Sequence, residues 1–255
     1  MHQITPQTAP QTAPQTAPAL TLCELADAGP WRMESLSPFC LKAHRALRLA
    51  GLRYERRHGT QPASHRALNP LAQVPVLLVD GRAVADSTEI LRVVDGLSGG
   101  ALLRGLDARA RAEAWCWEEL GDTALNGFLV AARWADENNW PAVKSAYFAG
   151  MPAPVRAVVP AMLRRNVLRA LHARDVWRAG AAVCWRRFDA LLDDLDARAP
   201  AEGFWMGPRA TVADLGLFAQ LHGLRTDLTP AQRSAVARRA RLSAWLDRVD
   251  VATRP

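Results

Sequence analysis

The sequence predicts an α+β protein in two parts, an N-terminal α/β unit followed by an all-helical unit. Three observations predict it. Every strand-like run lies ahead of residue 86. Asp80-Gly81 between two apolar runs is a hairpin signal. Beyond about residue 107, apolar side chains recur only at helical spacing. In order, the first unit reads as strand, helix, strand, short helix, strand, strand, helix, which a mixed four-stranded sheet with helices on both faces satisfies.

Residues 1–18 form a tail. Pro6-Gln7-Thr8-Ala9 repeats twice more with no large apolar residue, so the segment cannot build a core and reads as extended and disordered. It has neither the apolar stretch nor the basic start of a secretory signal. The first unit spans 19–98. Leu20 to Leu25 alternates as a strand. A loop through Gly29, Pro30 and Trp31 leads to Ser37-Pro38-Phe39-Cys40, where serine precedes a proline suited to a first helical position. Leu41, Ala43, Leu47 and Ala50 supply the apolar side of that helix, Lys42, His44, Arg45 and Arg48 the outward side, and Gly51 the stop. Arg53 to His58 reads as a polar edge strand, and a short segment ends at Asn69-Pro70. Val74-Pro75-Val76-Leu77-Leu78-Val79 and Ala83-Val84-Ala85 flank the hairpin turn. Pro75 is tolerable at a strand's first residue, where a cis peptide could also turn the Val74 backbone toward a cleft. Asp86-Ser87 opens a helix from Thr88 to about Gly96.

Residues 99–106 read as a linker and 107–255 as the helical unit. Trp117, Leu120, Ala124, Phe128 and Ala131 lie on one face of a long helix. Trp140-Pro141 starts another, and Pro152, Pro154 and Pro160 break up the next stretch. Cys184, Phe188, Leu191, Leu192 and Leu195 form a further stripe. Gly203 to Pro208 is an aromatic turn, Thr211 to Asp214 a capping-box-like start, and Thr229-Pro230 caps the final helical pair.

Composition narrows the function classes. The chain has 255 residues, 49% hydrophobic content and a formal charge of +7, enough to bury a core without disulfides. The basic excess is mostly arginine scattered among alanine, without zinc-ligand spacing or an aromatic-interleaved basic run, which argues against nucleic acid. Between Met151 and Ala190 eight arginines face two aspartates. They form either a solvated helix face or a basic rim that attracts anionic ligands or an acidic membrane surface. Cys23, Cys40, Cys116 and Cys184 form no CxxC pair and read as free thiols of a reducing, cytoplasmic compartment. No transmembrane segment is expected.

Ser37 is the candidate catalytic residue. Its hydroxyl stands at a helix N-terminus, where free N–H groups and the positive dipole end favour an anion such as a thiolate. The alternative is that it only caps the helix.

Four motifs in this order resemble the cytosolic glutathione S-transferases: Ser37-Pro-Phe-Cys40 with Lys42, Asn69-Pro-Leu-Ala-Gln-Val-Pro75-Val-Leu, Asp86-Ser87 before Ile90-Leu91, and the Phe204 to Asp214 turn and cap. The first is similar to the serine-type, bacterial-like segment. The resemblance covers roughly residues 19–250 and implies a thioredoxin-like βαβαββα domain followed by a helical bundle. It implies that Ser37 donates to the glutathione sulfur. Val74 would pair its backbone with the cysteinyl part, and Ser87 would bind the γ-glutamyl carboxylate. Asp86, in the place of a commoner Glu or Gln, would reach the amine less closely. Gln73 and Lys42 are further polar contacts. Glutathione is then the co-substrate, and a hydrophobic electrophile lies between the domains near Trp115 to Phe128, in a cytoplasmic homodimer of the detoxification type. Ser-Pro-Phe-Cys-Leu-Lys, Asp-Ser and Arg133 to Trp140 also resemble the metaxin and failed-axon-connections branch, which carries the alternative of a non-catalytic scaffold. Cys40, where thioredoxin-like redox proteins place their second cysteine, carries another: glutathione-dependent thiol reduction.

Overall fold

The computed structural model describes residues 17–25, 33–59 and 62–254. Most of the repeat tail and the loop through Gly29, Pro30 and Trp31 lie outside them.

The first half builds one sheet. β1 (Leu20–Leu25) is parallel to β2 (Glu55–Gly59) and antiparallel to β3 (Val76–Val79), and β3 pairs with β4 (Arg82–Ala85), giving the order β2-β1-β3-β4. Asp80 and Gly81 both take positive φ (49° and 82°), the two-residue geometry that matches strand twist, and Val79 pairs with Arg82 across the turn. β2 is the polar edge, its first four residues exposed. The short helix expected after it is a single 3₁₀ turn at Pro62–His65. α1 (Pro38–Leu49) and α2 (Ser87–Leu97) complete a thioredoxin-like domain.

The second half is all helix. α3 (Ala108–Leu120), α4 (Asn126–Val130) and the wide π-type turns Gly121–Leu125 and Ala131–Ala135 make one long helix. There follow α5 (Trp140–Phe148), α6 (Ala153–His172), α7 (Asp175–Arg178), α8 (Ala181–Arg198), α9 (Val212–Leu224), α10 (Pro230–Ala237) and α11 (Ala240–Thr253). α9 is the central post, buried along nearly its whole length and packed on α3, α1 and α11. Its start is the expected box: the Asp214 carboxylate accepts from Thr211 N–H (2.9 Å), Thr211 Oγ1–H (3.0 Å), Trp205 N–H (2.7 Å) and Trp245 Nε1–H (2.9 Å).

Three expectations are corrected. Pro160 does not break the chain; α6 runs through it, and Pro154 sits in the first turn, where its missing N–H costs no bond. The buried line of the long helix is Ala114, Glu118, Gly121, Leu125, Phe128 and Ala132, about one residue off the predicted stripe at its start; Trp117, Leu120 and Ala124 are half-buried. The offset arises because Glu118 is ion-paired inside and Gly121 touches backbone: a Cβ there would stand 2.6 Å from Gly216 O. Finally, α1 has no outward face of Lys42, His44 and Arg45; all three are buried. The helix lies between sheet and bundle, and each side chain finds a partner far along the chain. His44 bonds Glu24 and Tyr54 (both 2.7 Å), and Arg45 pairs with Glu34 and Asp250 (both 2.9 Å).

Candidate active site

The N-termini of α1 and α2 open on one interdomain cleft of about 590 Å³. Its N-terminal-domain wall includes Ser37, Phe39, Gln73, Val74, Pro75, Asp86, Ser87 and Thr88. Five of the six residues singled out from sequence, Ser37, Gln73, Val74, Asp86 and Ser87, thus meet on one surface.

Each position has a local cause. Ser37 caps α1: its Oγ accepts the Cys40 N–H at 3.3 Å, and Pro38 takes the first turn. Accepting that bond does not use the Ser37 O–H, which lies close enough to the Cys40 sulfur to oppose the rise of that thiol's pKa. Ser35 Oγ in turn accepts the Ser37 N–H at 3.2 Å. The Val74–Pro75 peptide is cis. The Asn69 side chain holds the loop before it, donating to Gln73 O (3.1 Å) and accepting from Leu71 N–H (3.1 Å). Asp86 caps α2, its Oδ1 accepting from Thr88 and Glu89 N–H (2.9 and 3.2 Å), at a φ of 77° that a non-glycine residue rarely adopts. Ser87 is buried to 5% exposure, and its hydroxyl has no partner among the described residues.

Lys42 stands elsewhere than expected. It is off the cleft wall, fully buried, and its Nζ pairs with Glu118 (2.5 Å) and Asp122 and lies 3.5 Å from Thr88 Oγ1. It ties α1 to the long helix behind the Ser87 end of the cleft. Burial, with the neighbouring Asp122 carboxylate, raises the Glu118 pKa against the opposing pull of Lys42.

The long helix forms the opposite wall between Glu119 and Trp134, through residues that include Asp122, Asn126, Leu129, Val130 and Arg133. Trp115 is not on it; it lies under the Arg92 guanidinium, 4.1 Å from the ring centroid. Phe39, Leu36, Leu129, Val130, Trp134 and Tyr147 make the apolar part, with Trp134 and Tyr147 edge to face at 5.3 Å. Sequence reasoning did not find Asp122, Tyr147 or Arg174 at the cleft, and saw Arg133 only within a resembling run. Helical periodicity marks what is buried but not what borders a cleft.

Cys40 is fully buried and absent from the cleft wall, and its thiol is pushed up to about 12, by burial first. A thiol so held stays protonated at neutral pH. Among the described residues, no His, Cys, Asp and Glu cluster is placed to hold a metal, and no helix is long and apolar enough to cross a membrane.

Comparison with known proteins agrees with this architecture. Residues 36–97 match the family model of the glutathione S-transferase N-terminal domain, and residues 154–248 that of the C-terminal domain. Similar solved structures include a Pseudomonas fluorescens Pf-5 glutathione transferase family member with two glutathione bound (19% identity, TM-score 0.61, covering 93% of this chain and 90% of that one). The β-etherase LigF of Sphingobium sp. strain SYK-6 is similar at 21% identity and TM-score 0.60, covering 91% and 95%. A glutathione S-transferase of Xanthobacter autotrophicus Py2 is similar at 24% identity and TM-score 0.57, covering 91% and 93%. At these identities the likeness carries the fold alone. No curated protein matches the sequence.

Proposed function

We propose, for a chain that belongs to the glutathione S-transferase family, that the cleft binds glutathione and that Ser37 supports attack of its sulfur on a hydrophobic electrophile. The observation that carries the reading is the convergence of two helix N-termini, each with a serine, on one cleft with the Val74 backbone beside it. The tripeptide has two anionic groups that suit these ends: a thiolate at α1 and the γ-glutamyl carboxylate at α2.

In this reading Ser87 Oγ and the α2 N-terminus take the carboxylate, Asp86 faces the amine, the Val74 backbone pairs with the cysteinyl residue, and Gln73 borders the peptide. Lys42 acts from behind, through Thr88 and Asp122. The Ser37 O–H donates to the sulfur and favours thiolate over thiol. The thiol proton passes to water, the sulfur lone pair forms the C–S bond, and the electrophile either expels its leaving group or, after addition, takes a proton. Holding both reactants in one cleft supplies much of the acceleration. A homodimer and a cytoplasmic setting belong to the same proposal.

One observation favours a non-catalytic binding protein instead. α6 exposes Val155, Val158 and Met162 beside Arg156 and Arg165, a face suited to a partner. Calorimetric titration with glutathione separates the readings. Binding that weakens in Ser87→Ala is expected, together with conjugation reduced about a hundredfold in Ser37→Ala at near-normal affinity. Wild-type turnover equal to that of Ser37→Ala would refute the role of Ser37. Absence of glutathione binding would leave the binding-protein reading.

A further inference from the structure

The long helix carries opposite charges to the two ends of the cleft. Asp122 stands at the α2 end, 3.4 Å from Thr88 Oγ1. Arg133 follows eleven residues later, about 16 Å along the axis at 1.5 Å per residue, and stands at the Ser37 end. Its Nη1 donates to Leu36 O at 2.5 Å and to Tyr147 Oη at 3.1 Å, and its Nη2 to Gly223 O at 2.8 Å. Its Nε is buried without an acceptor among the described residues.

These three acceptors are neutral. Arg133 is 1% exposed, yet among the described residues no carboxylate lies within ion-pair distance of it. The other deeply buried cations of this interface are neutralised: Lys42 by Glu118 and Asp122, Arg45 by Glu34 and Asp250. A buried, uncompensated guanidinium is costly, and a negative ligand offsets that cost. The position is also kept open for it, since a Cβ on Gly223 would lie 3.1 Å from Nη2 and 2.7 Å from Leu129 Cδ1. Arg133 borders the same cleft as Ser37.

We propose that Arg133 is the counter-charge of the glutathione sulfur: a positioning residue that holds the Leu36–Ser37 segment through the Leu36 carbonyl and favours the thiolate through its field. The inference rests on the glutathione reading above. Leu36 is bonded to Ser37, which puts the guanidinium roughly 7 Å from the region of the Ser37 hydroxyl. The sulfur lies up to about 3 Å beyond that hydroxyl, and a fixed charge roughly 7–10 Å away, at an effective dielectric constant of about 20, lowers a thiol pKa by about one to two pH units. The long helix then matches the dipolar tripeptide, with negative charge beside its amine and positive charge beside its sulfur.

The test is the ultraviolet thiolate titration of glutathione bound to the full chain. In wild type the bound thiol should ionise below free glutathione. In Arg133→Gln its pKa should rise by about one to two pH units, while Arg133→Lys, which keeps the charge, should stay close to wild type. A purely structural role would lower affinity without moving this titration. A folded Arg133→Gln with an unmoved thiol pKa overturns the proposal. If that variant does not fold, Ser37→Ala decides. It removes the hydrogen bond and leaves the charge, so its bound thiol should still ionise below free glutathione, and a return to the free value overturns the proposal. Wild type that binds no glutathione removes the glutathione reading itself, whereas binding with an unshifted thiol leaves the binding reading and removes the thiolate-stabilising roles of Arg133 and Ser37 together.

Discussion

Replacing Lys42 by methionine should loosen the joint between the two domains and make it sensitive to pH. Lys42 is fully buried, and its partners Glu118 and Asp122 are 1% and 12% exposed, so water screens little of the interaction. Methionine fills a similar volume but leaves two carboxylates facing each other with no cation between them. Breaking a buried pair from one side typically costs about 3–5 kcal/mol. Here the lower figure applies, about 3 kcal/mol, because Glu118 already has a raised pKa and can relieve the clash by taking a proton. The sign follows from that raised value. Without Lys42, the influence lowering the Glu118 pKa is gone, so its folded pKa rises further above the ordinary 4.5. Protonation then favours the folded state, and that support is lost as pH rises through the folded pKa. The penalty should grow as pH rises above the ordinary 4.5 and shrink as pH falls toward it. Urea unfolding followed by tryptophan fluorescence measures it, with a shifted midpoint and an unchanged slope. Lys42→Met combined with Glu118→Gln should recover part of the loss at neutral pH. A loss below about 1 kcal/mol, or one that does not vary with pH, would refute the reasoning.

Three further outcomes follow from single positions. His222 is held down to about 4, by burial first and then by Arg45 and Arg225 against the raising pull of Asp250 and Glu34. Its contribution is therefore complete above the ordinary value of 6.5 and lost as pH falls from there toward about 4; the loss reaches about 3 kcal/mol, and His222→Gln should flatten that slope of the urea midpoint. Gly121→Ala drives a methyl to within 2.6 Å of Gly216 O, and neither backbone can give way. A cost of about 2 kcal/mol or more is expected, read as a Tm several degrees lower, and an unchanged Tm would contradict the close crossing of α3 and α9. Asp214→Ala strips a common acceptor from Thr211, Trp205 and Trp245. It should cost about 4 kcal/mol in urea unfolding, with Asp214→Asn losing less because it keeps one carbonyl acceptor.

Elements whose causes lie within a few residues of one another could be read directly from the chain. Ser37 before Pro38 starts α1, Asp80-Gly81 turns β3 into β4, Thr211 with Asp214 starts α9, and Thr229-Pro230 starts α10. Dihedral preference and capping act locally, so residue order specifies them. The same holds for the candidate site residues that belong to helix starts and to the segment before Pro75; local chemistry puts Ser37, Asp86 and Ser87 at two N-termini, and the sheet brings those ends to one cleft.

Charge placement was not legible in this way. Lys42, His44 and Arg45 carry the pattern of an exposed face, yet each is buried because Glu118, Glu24 and Asp250 arrive from 76, 20 and 205 positions away. Arg133 reads as one arginine among many until the fold sets it against the Leu36 and Gly223 carbonyls, 97 and 90 positions distant, with no carboxylate in ion-pair reach among the described residues. Local pattern thus dictated the helices, the turns and the overall class. The partner of each buried charge, and therefore the electrostatics of the cleft, was decided only when two domains closed on each other, because a Coulomb interaction depends on distance in space and on exclusion of water, neither of which residue order encodes.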